Sequence, residues 1–102
     1  MVAKLGWSLR PAAHVDLSSI WRYGAENWGP DQADYYADAL FAVFDLLAGF
    51  PEMARERDMF DPPIRIHPTR AHLILYQTVE EGIEIIRILH AAQNLSEFLA
   101  ES

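Results

Sequence analysis

The stretch Ile83-Glu84-Ile85-Ile86-Arg87-Ile88-Leu89-His90 decides how the rest of this chain has to be arranged. Strand alternation puts Ile83, Ile85, Arg87 and Leu89 on one face and Glu84, Ile86, Ile88 and His90 on the other, so both faces are mainly apolar. Such a strand sits centrally and is covered twice. The chain's own helices cover one face, and a second layer, from the C-terminal tail or from another molecule, is needed on the other. Arg87, set among apolar neighbours, has to reach a carboxylate, a carbonyl or solvent.

Upstream, Ala71-His72-Leu73-Ile74-Leu75-Tyr76-Gln77-Thr78-Val79 and Ile64-Arg65-Ile66-His67 read as two more strands, separated by a Pro68-Thr69-Arg70 turn, while Glu80-Glu81-Gly82 turns into the last strand. Residues 51–63 break all periodicity, with Pro51, Pro62 and Pro63 around Arg55-Glu56-Arg57-Asp58 and the apolar pair Met59-Phe60; this is the longest connection. Before it, a helix from about Asp31 to Gly49 buries Ala33, Tyr36, Leu40, Val43, Phe44 and Leu47 and turns Asp34, Asp38 and Asp45 outward. Phe41 and Leu46 fall off that stripe, and an apolar pair flanking an acidic row is a candidate contact surface.

An earlier helix opens at Pro11 and repeats Ala13, Leu17, Ile20, Gly24 and Trp28 at helical spacing, with His14, Ser18 and Arg22 opposite. Gly24 on the apolar stripe costs about 1 kcal/mol relative to alanine, so its use is to let the neighbouring helix come close. Trp28-Gly29-Pro30-Asp31 stops one helix and starts the next, which makes the two antiparallel. At the N-terminus, residues 4–9 alternate Leu5, Trp7 and Leu9 against Lys4 and Ser8 as a half-buried first strand. From Asn94, the spacing of Leu95, Phe98 and Leu99 predicts a short terminal helix capped by Asn94, with Glu97 three residues on. The class is α+β: an N-terminal strand, an antiparallel helical hairpin on a small, mainly antiparallel sheet, and a short C-terminal helix.

The chain has 102 residues, which suits one domain over residues 1–102 rather than two. With 51% hydrophobic residues it needs no metal or disulfide for stability, and no metal or cofactor is expected. The absence of cysteine excludes thiol catalysis and thiolate metal sites and suits a cytoplasmic protein. No apolar run is long enough for a signal peptide or a membrane span. The net charge of -7, with Lys4 and seven arginines as the whole basic complement, disfavours binding along a nucleic-acid backbone. Arg55, Arg57, Arg65 and Arg70 still leave room for a local basic patch.

Six separated stretches, in order, carry a resemblance: Leu9-Arg10-Pro11-Ala12-Ala13 with Asp16-Leu17 and Ile20-Trp21; Trp28-Gly29-Pro30-Asp31-Gln32-Ala33; Pro51 with Arg55; Ile64-Arg65; His72-Leu73-Ile74-Leu75-Tyr76; and Ile85-Ile86-Arg87-Ile88-Leu89-His90. Together they resemble the ParE toxins of the RelE/ParE superfamily. Ala54 and Pro63 stand where that pattern has glycines, and Gln93-Asn94 where Arg-Asp is frequent, so no target contact is transferred to Gln93. The resemblance implies a type II toxin neutralised by a ParD-like antitoxin, acting by poisoning DNA gyrase, and not an enzyme. Arg65, Arg87 and His90 are its candidate target contacts.

The superfamily's other branch, similar to RelE, cleaves messenger RNA on the ribosome. Docking there and stabilising a charged phosphate favour clustered cations, which this acidic chain lacks. Arg65, His67, His72, Tyr76, Arg87 and His90 nevertheless all fall in the sheet, and Arg65, Tyr76, Arg87 and His90 would be the catalytic set of that alternative. Regular alternation sets Arg87 and His90 on opposite faces, against their sharing a substrate without a bulge or strand end between them. The bland roles are a semi-buried imidazole bonded to backbone for His72 and His90, and sheet packing for Tyr76. A third alternative is an inactive member kept as a binding partner. The antitoxin surface is expected at Phe41, Leu46, Asp38, Asp45, Arg55, Met59, Phe60, Ile83 and Ile85, taking a partner helix in a groove or an added strand.

Overall fold

A computed structural model describes residues 6–58 and 60–91, in the order β1 (Gly6–Leu9), α1 (Pro11–Trp28), α2 (Pro30–Gly49), a short 3-10 turn (Pro51–Met53), β2 (Glu56–Arg57), β3 (Ile64–Thr69), β4 (His72–Val79) and β5 (Gly82–His90). The expected terminal helix from Asn94, and Met59, lie outside the described residues. The five strands form one sheet in the order β1-β5-β4-β3-β2, antiparallel except where β1 runs parallel to β5. The β1–α1–α2 excursion crosses to the far edge of the sheet at β2, and the meander from β2 brings β5 back beside β1, so the strand with two apolar faces is an interior one, as its pattern demands.

The helical hairpin forms as its punctuation predicts. Gly29, at φ 93°, separates two helices that each begin on a proline. A methyl group on Gly24 would lie 3.4 Å from the Ala33 Cβ, so the two small residues bring the helices together near the hairpin's tip. Leu40, Phe44 and Leu47 of α2 and Ala13 of α1 pack on Ile74, Tyr76, Ile83, Ile85 and Ile88 of the sheet. Phe41 departs from expectation: it is half-buried and stacked on Trp7, whose ring lies 5.7 Å away, because the N-terminal strand extends the sheet beneath it. Trp28 departs the other way, projecting 65% exposed from the last turn of α1 beyond the edge of the sheet.

The main correction concerns the parity of β5. Tyr76 pairs with Ile85 but Leu75 pairs with Arg87, so Ile86 is an extra, bulged residue. From there on the faces exchange. Ile83, Ile85 and Ile88 lie under the helices, whereas Ile86 and Leu89 join Ile64 and Leu75 on the opposite side. That second face is not bare, since these four residues are buried there, with Phe60, Ile66 and Leu73 packed around them. β3 also runs two residues further than its apolar pattern, through Pro68, and the turn is Arg70-Ala71, with Arg70 at φ 53°. Proline is tolerated in β3 because β2 pairs only with Ile64 and Arg65, leaving this part of β3 as a sheet edge.

Candidate functional site

Where the tip of the hairpin overhangs the ends of β4 and β5, the fold leaves a cavity of about 870 Å³. Ile20, Gly24 and Ala33 form its apolar back; Tyr23 and Trp28 stand at its rim, edge to face, both more than 60% exposed. Exposed aromatic surface beside a concavity is the usual mark of a binding site.

The sheet side of the cavity is polar. His72 opens β4 and His90 closes β5 as directly opposed cross-strand partners, on the same face as the Ile74–Ile88 pair, with ring centroids 5.7 Å apart. Tyr36 of α2 reaches down to His72, its hydroxyl 2.6 Å from Nδ1, and Arg70 lies over the Tyr36 ring. Burial pushes the Tyr36 phenol above its ordinary value, partly offset by the Ala71 amide and Arg70. Burial likewise lowers His72, reinforced by His90 and opposed by Asp16. A neutral imidazole at neutral pH follows for His72.

Asp16 closes the cavity's third side. β1 ends opposite Ile85, so among the described residues no strand lies beside the edge of β5 beyond that point. The Asp16 carboxylate stands in for one, accepting from the Ile88 amide at 2.9 Å and from the Arg87 guanidinium at 2.7 and 3.0 Å. The candidate target contact Arg87 is thus one arm of an ion pair between α1 and the sheet.

The remaining candidates sit elsewhere. Farther along the sheet, at the level of Ile85, the buried Tyr76 hydroxyl donates to the Pro51 carbonyl at 2.7 Å, and Arg65 donates to the Ala54 carbonyl and to Glu56. Both residues fasten the long connection to the sheet. Burial raises the Tyr76 phenol, partly offset by the Ala54 amide and Arg65, with Glu52 adding to the rise. Arg65 and Tyr76 are therefore cross-strand partners at the level of Ile85, and His90 stands at the cavity, at the far end of β5.

Of the residues expected to meet an antitoxin, Ile83 and Ile85 are 1% and 0% exposed beneath the helices and offer no side chain to a partner in this form of the chain. Phe60 packs on the far face and Arg55 is exposed. Leu46 and Asp38 are exposed on α2, whereas Asp45 accepts from the Trp7 indole at 2.9 Å and Asp34 from the Trp21 indole at 2.8 Å. Asp34 and Asp45, two of the three outward aspartates, are thereby structural. The sequence reading missed Tyr23, Trp28 and Asp16 as site residues. The crowding of Trp21, Tyr23, Trp28, Tyr35 and Tyr36 around one helix turn was a usable signal for the first two; Asp16 had none, its partner being 71 residues away. Among the described residues no three histidine or carboxylate side chains cluster as a metal site, and no helix is long and apolar enough to cross a membrane.

Comparison with known proteins agrees with this architecture. The chain is 33% identical over 88 residues to Toxin ParE1 of Caulobacter vibrioides, covering 86% of this chain and 91% of that protein. It is 35% identical over 83 residues to Toxin ParE1 of Mycobacterium tuberculosis, covering 80% and 85%. A solved structure of the chromosomal ParDE TA system from P. aeruginosa has the same fold, with a TM-score of 0.69 at 17% identity over 85% of this chain and 96% of that one. The family model for the ParE toxin of the type II toxin-antitoxin system, parDE, matches residues 8–95, and the chain belongs to that family.

Proposed function

We propose that this toxin acts in the cytoplasm by poisoning DNA gyrase, catalyses no reaction itself, and is held inactive by a ParD-like antitoxin seated at the hairpin tip. The observation that carries this reading is the division of labour in the sheet. Residues that a ribosome-dependent nuclease would need, Arg65, Tyr76 and Arg87, are engaged in holding the fold together, and Arg65 and Tyr76 lie far along the sheet from His90. The exposed aromatic rim and the cavity beside it supply instead what a partner segment needs: apolar area with a few polar groups to fix its register. An amphipathic helix laid against Tyr23 and Trp28 is the binding mode that suits such ground.

Inducing the chain with and without its antitoxin tests the proposal. Growth arrest with gyrase-linked DNA breaks, relieved by the antitoxin, is the expected result. Cleaved transcripts on intact DNA would replace it with the nuclease reading, and unimpaired growth with that of an inactive binding partner.

A further inference from the structure

We infer that the His72–His90 pair makes docking of the antitoxin at the hairpin tip proton-sensitive, the complex loosening as the surroundings acidify; this deepens the proposed function and rests on the antitoxin's seat at this cavity. Both imidazoles line the cavity, and both are half-buried. They are opposed on neighbouring antiparallel strands with ring centroids 5.7 Å apart, so a charge on one ring opposes a charge on the other. An apolar helix face laid over Ile20, Gly24, Ala33 and Ile88 takes water away from those rings. Withdrawing water penalises the charged imidazole far more than the neutral one. The occupied cavity therefore selects the neutral pair, and a proton taken up by the free chain has to leave before the partner closes.

The charges around the pair do not reverse this sign. On α1, Asp16 is the only carboxylate among the described lining residues, and it favours charge on His72, but it is already shared between the Arg87 guanidinium and the Ile88 amide. On α2, the Tyr36 hydroxyl sits 2.6 Å from His72 Nδ1 and stays neutral, its phenol held above the ordinary value. In the turn before β4, Arg70 stands over the Tyr36 ring and adds positive charge on that side. Arg87, bound to Asp16, is the cation of β5, and the uncharged ring of Tyr23 on α1 stands at the rim. Burial already lowers His72 in the free chain, and a seated partner extends the same effect to what remains exposed of both rings.

Titration calorimetry of the full chain with its antitoxin, at constant ionic strength, tests this. The expected dissociation constant is about three- to tenfold larger at about pH 5.5 than at about pH 7.5, roughly tenfold being the limit for one proton released from an imidazole that titrates near its ordinary value of about 6.5. That dependence shrinks in His72→Gln and in His90→Gln, nearly vanishes in the double variant, and persists in His14→Gln and His67→Gln. Long-range imidazole proton–nitrogen spectra of the unsubstituted chain at about pH 5.5 give a second readout that no folding defect can mimic: protonated character at the pair in the free chain is lost on binding. Trp28→Asp tells the seat from the switch. If that variant binds as tightly as the unsubstituted chain, the antitoxin is seated elsewhere and both fall. If it binds more weakly while the double histidine variant keeps the full pH dependence, or while the pair stays protonated in the complex, the seat stands and the switch is overturned.

Discussion

Replacing Asp16 by alanine removes two supports at once, and the structure allows the loss to be estimated. The Ile88 amide loses its acceptor on a stretch of strand edge that no described strand pairs, a loss of about 1–3 kcal/mol for a donor left unbonded. The ion pair with Arg87 adds about 1 kcal/mol, between surface and buried values, because the arginine is 30% exposed and rehydrates when released. Together these give about 2–4 kcal/mol, a large part of the roughly 5–15 kcal/mol that a domain of this kind has in total. In equilibrium urea unfolding the midpoint should fall by roughly 1–2 M at unchanged slope. Asp16→Asn keeps an acceptor for the amide and should lose only about 1–2 kcal/mol. A double-mutant cycle with Arg87→Ala should return a coupling of about 0.5–3 kcal/mol. A midpoint within 0.3 M of the unsubstituted chain for Asp16→Ala, or no coupling in the cycle, would refute the view that this carboxylate substitutes for the missing strand.

Gly82→Ala should be among the most damaging single changes, costing upward of about 3 kcal/mol, since Gly82 has φ 137° and an added Cβ would stand on the Gly6 carbonyl oxygen; urea unfolding or loss of soluble expression reads it. Tyr76→Phe, at constant shape, leaves the Pro51 carbonyl without its donor and should cost about 1–2 kcal/mol, by the same measurement, while leaving the toxin's effect on growth intact. Trp28→Asp removes the most exposed large aromatic residue of the cavity rim and should weaken antitoxin binding about 30-fold by calorimetry, the range of an interface hot spot, with little change in stability. The fourth concerns pH: His72 has a folded pKa below its unfolded value of about 6.5, so the unfolded chain takes up the proton first. Its contribution to stability is therefore intact above that value and lost as pH falls through it; the urea midpoint should be lower at pH 5.5 than at pH 7, with a smaller drop in His72→Gln.

The architecture was legible because its signals are local and repeat. Gly29-Pro30 sets the helix boundary, the small residues Gly24 and Ala33 set the interhelical approach, and the doubly apolar β5 demanded a central position that the topology supplies. What the sequence concealed depends on single residues far apart in the chain. The extra residue Ile86 leaves no mark in a run of isoleucines, yet it reverses the face of everything after it, which is why Ile88 rather than Leu89 meets the helices. Phe41 looked solvent-facing because helix periodicity cannot register a strand arriving from the N-terminus to stack a tryptophan on it. The acidic row of α2 reads as a solvated helix face because nothing in the local spacing shows two indoles bonding to it.

The placement of chemistry in this molecule follows from where the sheet is left unfinished. β1 pairs with only the first half of β5, so the second half needs Asp16 and Arg87 to close its edge, and the ends of β4 and β5 reach past the packed core of the hairpin. Polar side chains placed there, His72, His90, Tyr36 and Asp16, meet one another and a cavity instead of core. Away from the cavity a long connection must be held down, and the residues of the nuclease alternative, Arg65 and Tyr76, spend their hydrogen bonds on the carbonyls of Ala54 and Pro51. A buried hydroxyl already donating to backbone is poorly placed to act as an acid toward an external phosphate. The adaptable surface of the fold is thus the hairpin tip, where aromatic rings, a histidine pair and a carboxylate face a common opening. Under the proposed function, that combination of apolar area and sparse polar groups serves recognition of a partner.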